Sequence, residues 1–171
     1  MTKPYSSWNR FSFDFFIIGF KYILVHMTRM WFVLPQARPV LLGWCGHRFK
    51  DPGTVFIGAD VLFDNIRHAR TYVGARVTIT SGAKIMNHFI VPGNGNQDYV
   101  KGDVHIEDGV FIGMNVLIVK PVRIGAGAVI AAGSVVVHDI PQGVIAGGVP
   151  ARVIGRIASP GTQGPSGAEE K

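Results

Sequence analysis

The sequence predicts an all-β chain, a parallel β-helix of hexapeptide repeats with an N-terminal helical segment, and three observations carry that expectation. From Ile106 to Pro141 the chain reads IEDGVF IGMNVL IVKPVR IGAGAV IAAGSV VVHDIP, with Ile106, Ile112, Ile118, Ile124, Ile130 and Val136 at position one of each six. Position five holds Val110, Val116, Val122, Ala128, Ser134 and Ile140, and position four holds Gly109, Asn115, Pro121, Gly127, Gly133 and Asp139. Gly, Asn and Asp accept turn and left-handed backbone geometry, so each six reads as a short strand plus a corner. A period of six suits neither an α-helix nor an isolated alternating sheet; short flat strands joined by tight corners bury one large aliphatic per rung and stack into a continuous core.

The elements follow in order. In residues 1–50, Ser6 or Ser7 is a candidate cap for a helix beginning near Trp8 and running to a stop near Pro35. On a helical wheel Arg10, Asp14, Lys21, Thr28 and Arg29 share one narrow side, while Phe11, Phe13, Phe16, Ile17, Phe20, Ile23, Leu24 and Met27 fill much of the rest. Asp14 and Lys21 leave only Phe15 to Phe20 uncharged between them, which excludes a convincing membrane span, and the order of regions in a cleavable signal peptide is absent. Two roles stay open for this amphipathic helix. It covers the open end of the coil or a neighbouring subunit, or it lies through residues 8–34 on an anionic membrane surface.

The coil is expected over residues 51–157. The sixes start at Val55 with IGADVL and FDNIRH, slip between Asn65 and Tyr72, and resume as VGARVT, ITSGAK and IMNHFI. VPGNGNQDYVKGDVH, residues 91–105, is turn-rich and polar, and reads as an ordered loop projecting from the coil. Residues 158–171 are rich in Gly, Pro, Ser and Glu and read as a disordered tail.

Composition narrows the function. A chain of 171 residues suits one domain, and 22 glycines suit a fold that turns a corner every six residues. Cys45 is the single cysteine, so there is no internal disulfide; this points to a reducing compartment, and the thiol is expected to be buried. The net charge of +6 belongs to residues 1–50, where seven Lys and Arg face Asp14 alone; the other ten basic and ten acidic residues cancel. No basic stripe runs through the repeats, so nucleic acid is a poor candidate partner. GAGAVI from Gly125 imitates a dinucleotide loop but has no following helix.

The run IGMNVLIVKPVRIGAGAVIAAGSVVVHDIP followed by IAGGVPARVI is similar to the C-terminal half of the left-handed β-helix, hexapeptide-repeat acyltransferases, among them galactoside, maltose and xenobiotic O-acetyltransferases. The resemblance spans roughly Val55 to Ile157 and does not cover the first fifty residues. It implies acetyl-CoA as acyl donor, a saccharide hydroxyl as acceptor and no metal. It also implies a homotrimer with its sites between subunits. The acceptor expected is a surface or capsular glycan or its precursor, and the location expected is cytoplasmic, with a peripheral place on the inner face of the membrane if the N-terminal helix lies on lipid.

His88 is the residue on which the chemistry rests. It occupies the corner position of IMNHFI directly before the projecting loop, and in the family the catalytic histidine lies in the rung before the long loop. An imidazole is unprotonated near neutral pH yet accepts the proton of an attacking hydroxyl, with no covalent enzyme intermediate required. Asp64 is the candidate to orient it or to contact substrate; Asn65 and Asn87 are weaker candidates for the same roles, and Asn94, Asn96 and Asp98 of the loop are candidate sugar contacts. By resemblance, Phe111 stands where the family often has a Trp against the pantetheine arm, and Gly113, Ala132 and Gly133 match backbone positions that approach its amides. His138 departs from a common family Lys that pairs with phosphate, which leaves Arg152 and Arg156 as the expected phosphate contacts. For the small residues a purely structural role at the corners is equally open.

Two other functions fit less of the sequence. One is a zinc lyase like the β-helix carbonic anhydrases, using His68, His88 and His105, although the closely spaced histidine pair of that class is missing. The other is a scaffold without catalysis.

Overall fold

A computed structural model of the chain describes residues 13–30, 33–65, 69–92 and 97–157. Its body is a coil of short parallel strands, laid down three to a turn. The first turn is β1 (Arg48–Phe49), β2 (Phe56–Ile57) and β3 (Leu62–Phe63), and the second is β4 (Thr71–Val73), β5 (Thr78–Ile79) and β6 (Lys84–Ile85). An antiparallel hairpin, β7 (His88–Pro92) and β8 (Gln97–Lys101), then leaves the coil. The third turn is β9 (Val104–Ile106), β10 (Phe111–Ile112) and β11 (Leu117–Ile118), and the fourth is β12 (Arg123–Ile124), β13 (Val129–Ile130) and β14 (Val135–Val136). Finally β15 (Val144–Gly147) extends the second face, and β16 (Arg152–Arg156) folds back on it antiparallel.

Three sheets result, one per face of a triangular prism: β1-β4-β9-β12 on the first, β2-β5-β10-β13-β15-β16 on the second and β3-β6-β11-β14 on the third. The period of six explains the register. Ile112 pairs with Ile79 and Ile130 on the second face, and Ile118 pairs with Ile85 and Val136 on the third, so position one of every six stacks on position one of the next turn. Ile112, Ile118, Ile124, Ile130 and Val136 are fully buried, as are Val116 and Ala128 at position five. Each buried Ile contributes about 1.5–3 kcal/mol relative to exposure. Gly109, Asn115, Gly127 and Gly133 at position four turn with positive φ, as expected of a left-handed corner; Pro121 and Asp139 do not.

The expected boundary at residue 51 falls inside the first turn, because Arg48 and Phe49 already pair with Tyr72 and Val73. The slip after Asn65 is a lengthened corner. From Phe63 to Val73 the chain takes ten residues to pass from the third face to the first, where Ile118 to Ile124 takes six. The loop expected over 91–105 is instead the β7–β8 hairpin, which starts at His88 and ends by Gly102, with His105 already back in the coil.

The expected helix is α1 (Phe13–Arg29), and a second one that was not expected, α2 (Arg38–Cys45), follows it. The expected start near Trp8 lies outside the described residues, and so does the tail 158–171. α1 stops at Arg29 rather than near Pro35: the Met30 N–H turns back to Met27 O at 3.0 Å, and Arg29 O accepts the Asp60 N–H at 2.9 Å. α2 was hidden by Pro39, which reads as a breaker but sits in the first turn, where its missing N–H costs nothing. Gly46 at φ +109° closes it. Leu42 of α2 joins the core of the coil, and buried Arg38 donates to Ile57 O at 2.6 Å and Met30 O at 3.1 Å. Leu24 and Val25 of α1 pack with Cys45, Leu41 and Leu62. The helices therefore cover the start of the coil, and Cys45 is buried as expected, with burial raising its thiol above the ordinary value.

Candidate active site

The corner between the third face and the first is where the longest insertion leaves the coil, and it brings His88 and Asp64 together. Phe63 and Ile85 are register partners, so the residues that follow them leave the sheet at the same corner, one turn apart. His88 Nδ1 is hydrogen-bonded to Asp64 Oδ2, and the same oxygen accepts the Asn87 N–H at 3.0 Å. An ionised carboxylate only accepts, so the geometry puts the imidazole proton on Nδ1 and the basic lone pair on Nε2. Both side chains are largely covered, at 25% exposure for His88 and 12% for Asp64. Such an arrangement fits a base whose tautomer and direction are set from behind.

Behind the pair runs a buried polar path. Asn87 is fully buried; its Oδ1 accepts from Thr71 Oγ1 at 3.2 Å, and its carbonyl accepts the Gly102 N–H at 2.9 Å. Contrary to the expectation of a substrate contact, Asn87 is turned inward; it ties the base of the hairpin to β4, and its Nδ2 finds no acceptor among the described residues. Thr71 N–H in turn donates to Nδ1 of buried His47 at 3.3 Å. This histidine, missed by the sequence reading, is pushed down to about 4, mainly by burial, against the opposing pull of Asp64. The unfolded chain takes up this proton near pH 6.5 and the folded chain only near 4. Stability is therefore full above pH 6.5 and is lost as pH falls towards 4, by about 2–3 kcal/mol. Urea midpoints at pH 7 and pH 4.5 should show that loss, and His47→Leu should flatten the slope.

The other expected residues divide between edges of the prism. Asn65 is exposed on the His88 corner. Asn94 and Asn96 lie outside the described residues, and Asp98 has only its backbone described, paired with Val91 in the hairpin. Gly113, Ala132 and Gly133 stand at the corner between the second and third faces, with Ala132 and Gly133 exposed. Gly113 is buried, and an added Cβ there would meet Ala132 N at 2.6 Å and Ile130 O at 2.8 Å. The next turn of the coil thus requires that glycine, without reference to a ligand. Phe111 is 41% exposed on the outer side of the second face, and Arg152 and Arg156 are exposed on β16 at the end of the same face. His138 is exposed on the His88 corner, two turns further along.

The residues expected to touch the acyl donor, His138 apart, are separated from His88 by a whole side of the prism. A shallow cleft on the first face, lined by Arg48, Tyr72, His105 and Arg123 among others, contains neither His88 nor Asp64. In that cleft His105 stacks on Tyr72 at 4.8 Å. Among the described residues no three His, Cys, Asp or Glu side chains are grouped to hold a metal ion, and His68 lies outside them.

Comparison with known proteins agrees with this architecture. Residues 103–138 match the family described as bacterial transferase hexapeptide (six repeats). Over 49 residues the chain is 57% identical to a 2,3,4,5-tetrahydropyridine-2,6-dicarboxylate N-acetyltransferase of Clostridium perfringens, covering 29% of this chain and 21% of that protein. A Staphylococcus aureus protein of the same name is 51% identical over 51 residues, 30% of this chain and 21% of its own. The chain thus spans about a fifth of the length of these curated relatives. Among solved structures, a maltose O-acetyltransferase from Clostridium difficile 630 superposes with a TM-score of 0.63 at 22% identity, covering 84% of this chain and 89% of that one. A hexapeptide-repeat acetyltransferase from Vibrio cholerae, complexed with acetyl coenzyme A, gives 0.60 at 22% identity, covering 87% and 92%. At that identity the likeness is one of fold. Repeat, corner geometry and structural neighbours converge on one architecture: this chain is a left-handed β-helix of hexapeptide repeats, similar over residues 103–138 to the bacterial hexapeptide transferases.

Proposed function

We propose that the protein is an acetyl-CoA-dependent O-acetyltransferase acting on a saccharide hydroxyl, and the observation that carries this reading is the His88–Asp64 pair at the base of the hairpin. A hydroxyl becomes a competent nucleophile only as it gives up its proton. His88 Nε2 takes that proton while the hydroxyl oxygen bonds to the thioester carbonyl carbon, and Asp64 compensates the charge arising on the ring. The C–S bond then breaks, and His88 returns the proton to the departing thiolate. A neutral amine needs less help, since it attacks before losing its proton. For that reason the oriented base favours an alcohol over the amino group that the names of the curated relatives imply.

The donor fits the other edge. Phe111 offers exposed apolar surface, Ala132 and Gly133 leave backbone open, and Arg152 and Arg156 offer cations for phosphates. Because a prism face separates these residues from His88, a donor lying along them would meet the base of a neighbouring copy, which supports a homotrimer with sites between subunits. The lone buried Cys45 is compatible with the cytoplasm. The acceptor in this reading is a surface or capsular glycan or its precursor.

Release of free thiol from acetyl-CoA, followed against sugars, nucleotide-sugars, amino sugars and the cyclic dicarboxylate of the curated relatives, tests the proposal. Turnover with a hydroxyl sugar and an O-acetyl product is expected. Turnover confined to amine acceptors, or none with any of them, would overturn it.

A further inference from the structure

We propose that the buried residues Thr71 and Asn87 are positioning residues for the base: they hold the stretch of chain that carries His88 in the place where its imidazole meets Asp64. The inference rests on the function proposed above for the reaction, but the hold on the ring is independent of it and can be read without turnover.

The repeat marks both residues as departures. Two residues before position one, the slot that faces the interior holds Val77, Val104, Val110, Val116 and Val122 in other rungs, all of them buried. Thr71 occupies that slot in β4, in register with Val104, and is fully buried as well. It has nearly the shape of valine but brings a hydroxyl into an aliphatic column. Asn87 departs in the other direction. At position three Met114, Ala132 and His138 are exposed at their corners, whereas Asn87 is fully buried. A buried amide whose Nδ2 has no acceptor among the described residues costs stability that an aliphatic residue would not. Departures from a fold's own rule that carry such a cost gather at functional sites.

The corner that carries His88 needs a hold of this kind. Gly109, Asn115, Gly127 and Gly133 set their corners with a positive φ, but His88 at the same position does not and opens β7 instead. Asn87 restrains the exit from three directions. Its N–H donates to Asp64 Oδ2 at 3.0 Å, its carbonyl accepts the Gly102 N–H at 2.9 Å, and its Oδ1 accepts from Thr71 Oγ1 at 3.2 Å. Because His88 Nδ1 and the Asn87 N–H share Asp64 Oδ2, a twist at residue 87 that breaks one bond carries the ring away from the other. The Thr71 contact anchors residue 87 to the core.

His47 joins the two limbs of the pair. Its Nδ1 accepts the Thr71 N–H at 3.3 Å, and its ring lies 5.1 Å from that of Phe63, the residue before Asp64. Asp64 and His88 are thus rooted in one buried cluster beneath the corner. Proton transfer is sensitive to displacements well below an ångström's scale of several, so a base rooted in this way keeps a geometry that a looser one loses.

The test removes both polar partners together, as Thr71→Val/Asn87→Leu, because an aliphatic pair leaves no orphaned hydroxyl or carbonyl between them. Thr71→Ser keeps the hydroxyl. Both are compared with the wild type and with His88→Ala by thiol release from acetyl-CoA with a sugar acceptor, by urea midpoint, and by nitrogen-15 spectra of the imidazoles, in which the signals missing from His88→Ala identify His88. In the double variant the midpoint should stay at or above that of the wild type while kcat falls about tenfold, KM for acetyl-CoA stays within about twofold, and His88 moves from the Nδ1–H form to a mixture of tautomers. Thr71→Ser should retain most of the wild-type kcat, and the double change should cost nothing further in the His88→Ala background. A double variant with wild-type kcat and tautomer overturns the proposal, as does a loss that persists without His88 or a Thr71→Ser loss equal to that of the double variant. Should the double variant fail to fold, Thr71→Val alone is read by the same kcat and tautomer criteria. Absence of thiol release from the wild type would be the failure of the function proposed above; the His88 spectrum then decides this inference, upheld by the mixture of tautomers and overturned by an unchanged signal.

Discussion

Replacing His88 with alanine is expected to lower kcat by about 10²–10⁴-fold while leaving the coil and its assembly intact. The side chain lies at a corner and is a quarter exposed, so its removal opens no cavity in the stacked core, which is built from Ile112, Ile118, Ile124, Ile130 and Val136. In the proposed reaction, what disappears is the acceptor for the hydroxyl proton. KM for acetyl-CoA should stay within about twofold, because the residues suited to the donor stand on another edge of the prism. Steady-state thiol release with circular dichroism and sedimentation velocity checks this outcome. A variant with wild-type kcat would remove His88 from the chemistry.

Asp64→Asn is the second large effect, expected at about a hundredfold or more in kcat. The amide nearly keeps the shape, but it carries no charge to balance an imidazolium. The Asn87 N–H, which shares Asp64 Oδ2 with His88, would hold the amide oxygen in that same place, so the tautomer is kept and the loss should come from the missing charge rather than displacement. The double variant His88→Ala/Asp64→Asn should be no slower than His88→Ala alone, because the aspartate acts through the histidine. Additive losses would show that Asp64 works on the substrate by itself.

The coil was legible from residues because its information is local and repeated. An aliphatic at position one of each six must point inward in every turn, and four of the six position-four residues take the positive φ that a left-handed corner requires. The position of His88 at a corner was legible for the same reason, since it occupies a slot in a countable repeat. Its partner is 24 residues away across a corner of irregular length, and only the pairing of Phe63 with Ile85 aligns them. Asn87 was a candidate orienter or substrate contact, yet a fully buried amide is decided by Thr71, 16 residues earlier, and no periodicity announces that. His47 and α2 lay in the stretch outside the repeats. There Pro39 obscured a helix start, and a buried neutral histidine has no sequence signature. At Gly113 a ligand role and a corner role were both open, and the backbone of the turn above it accounts for the glycine by itself.

β16 carries a consequence for the molecule as a building block. A stack of parallel rungs is open-ended by nature, and one copy's last rung is a ready template for another's first, the route by which such prisms could polymerise into fibres. Running antiparallel on β15, β16 presents the wrong polarity on the widest face, and at the opposite end Leu42 of α2 fills the core that an incoming rung would need. Growth along the axis is thus refused at both ends, which leaves sideways association as the direction open to further copies.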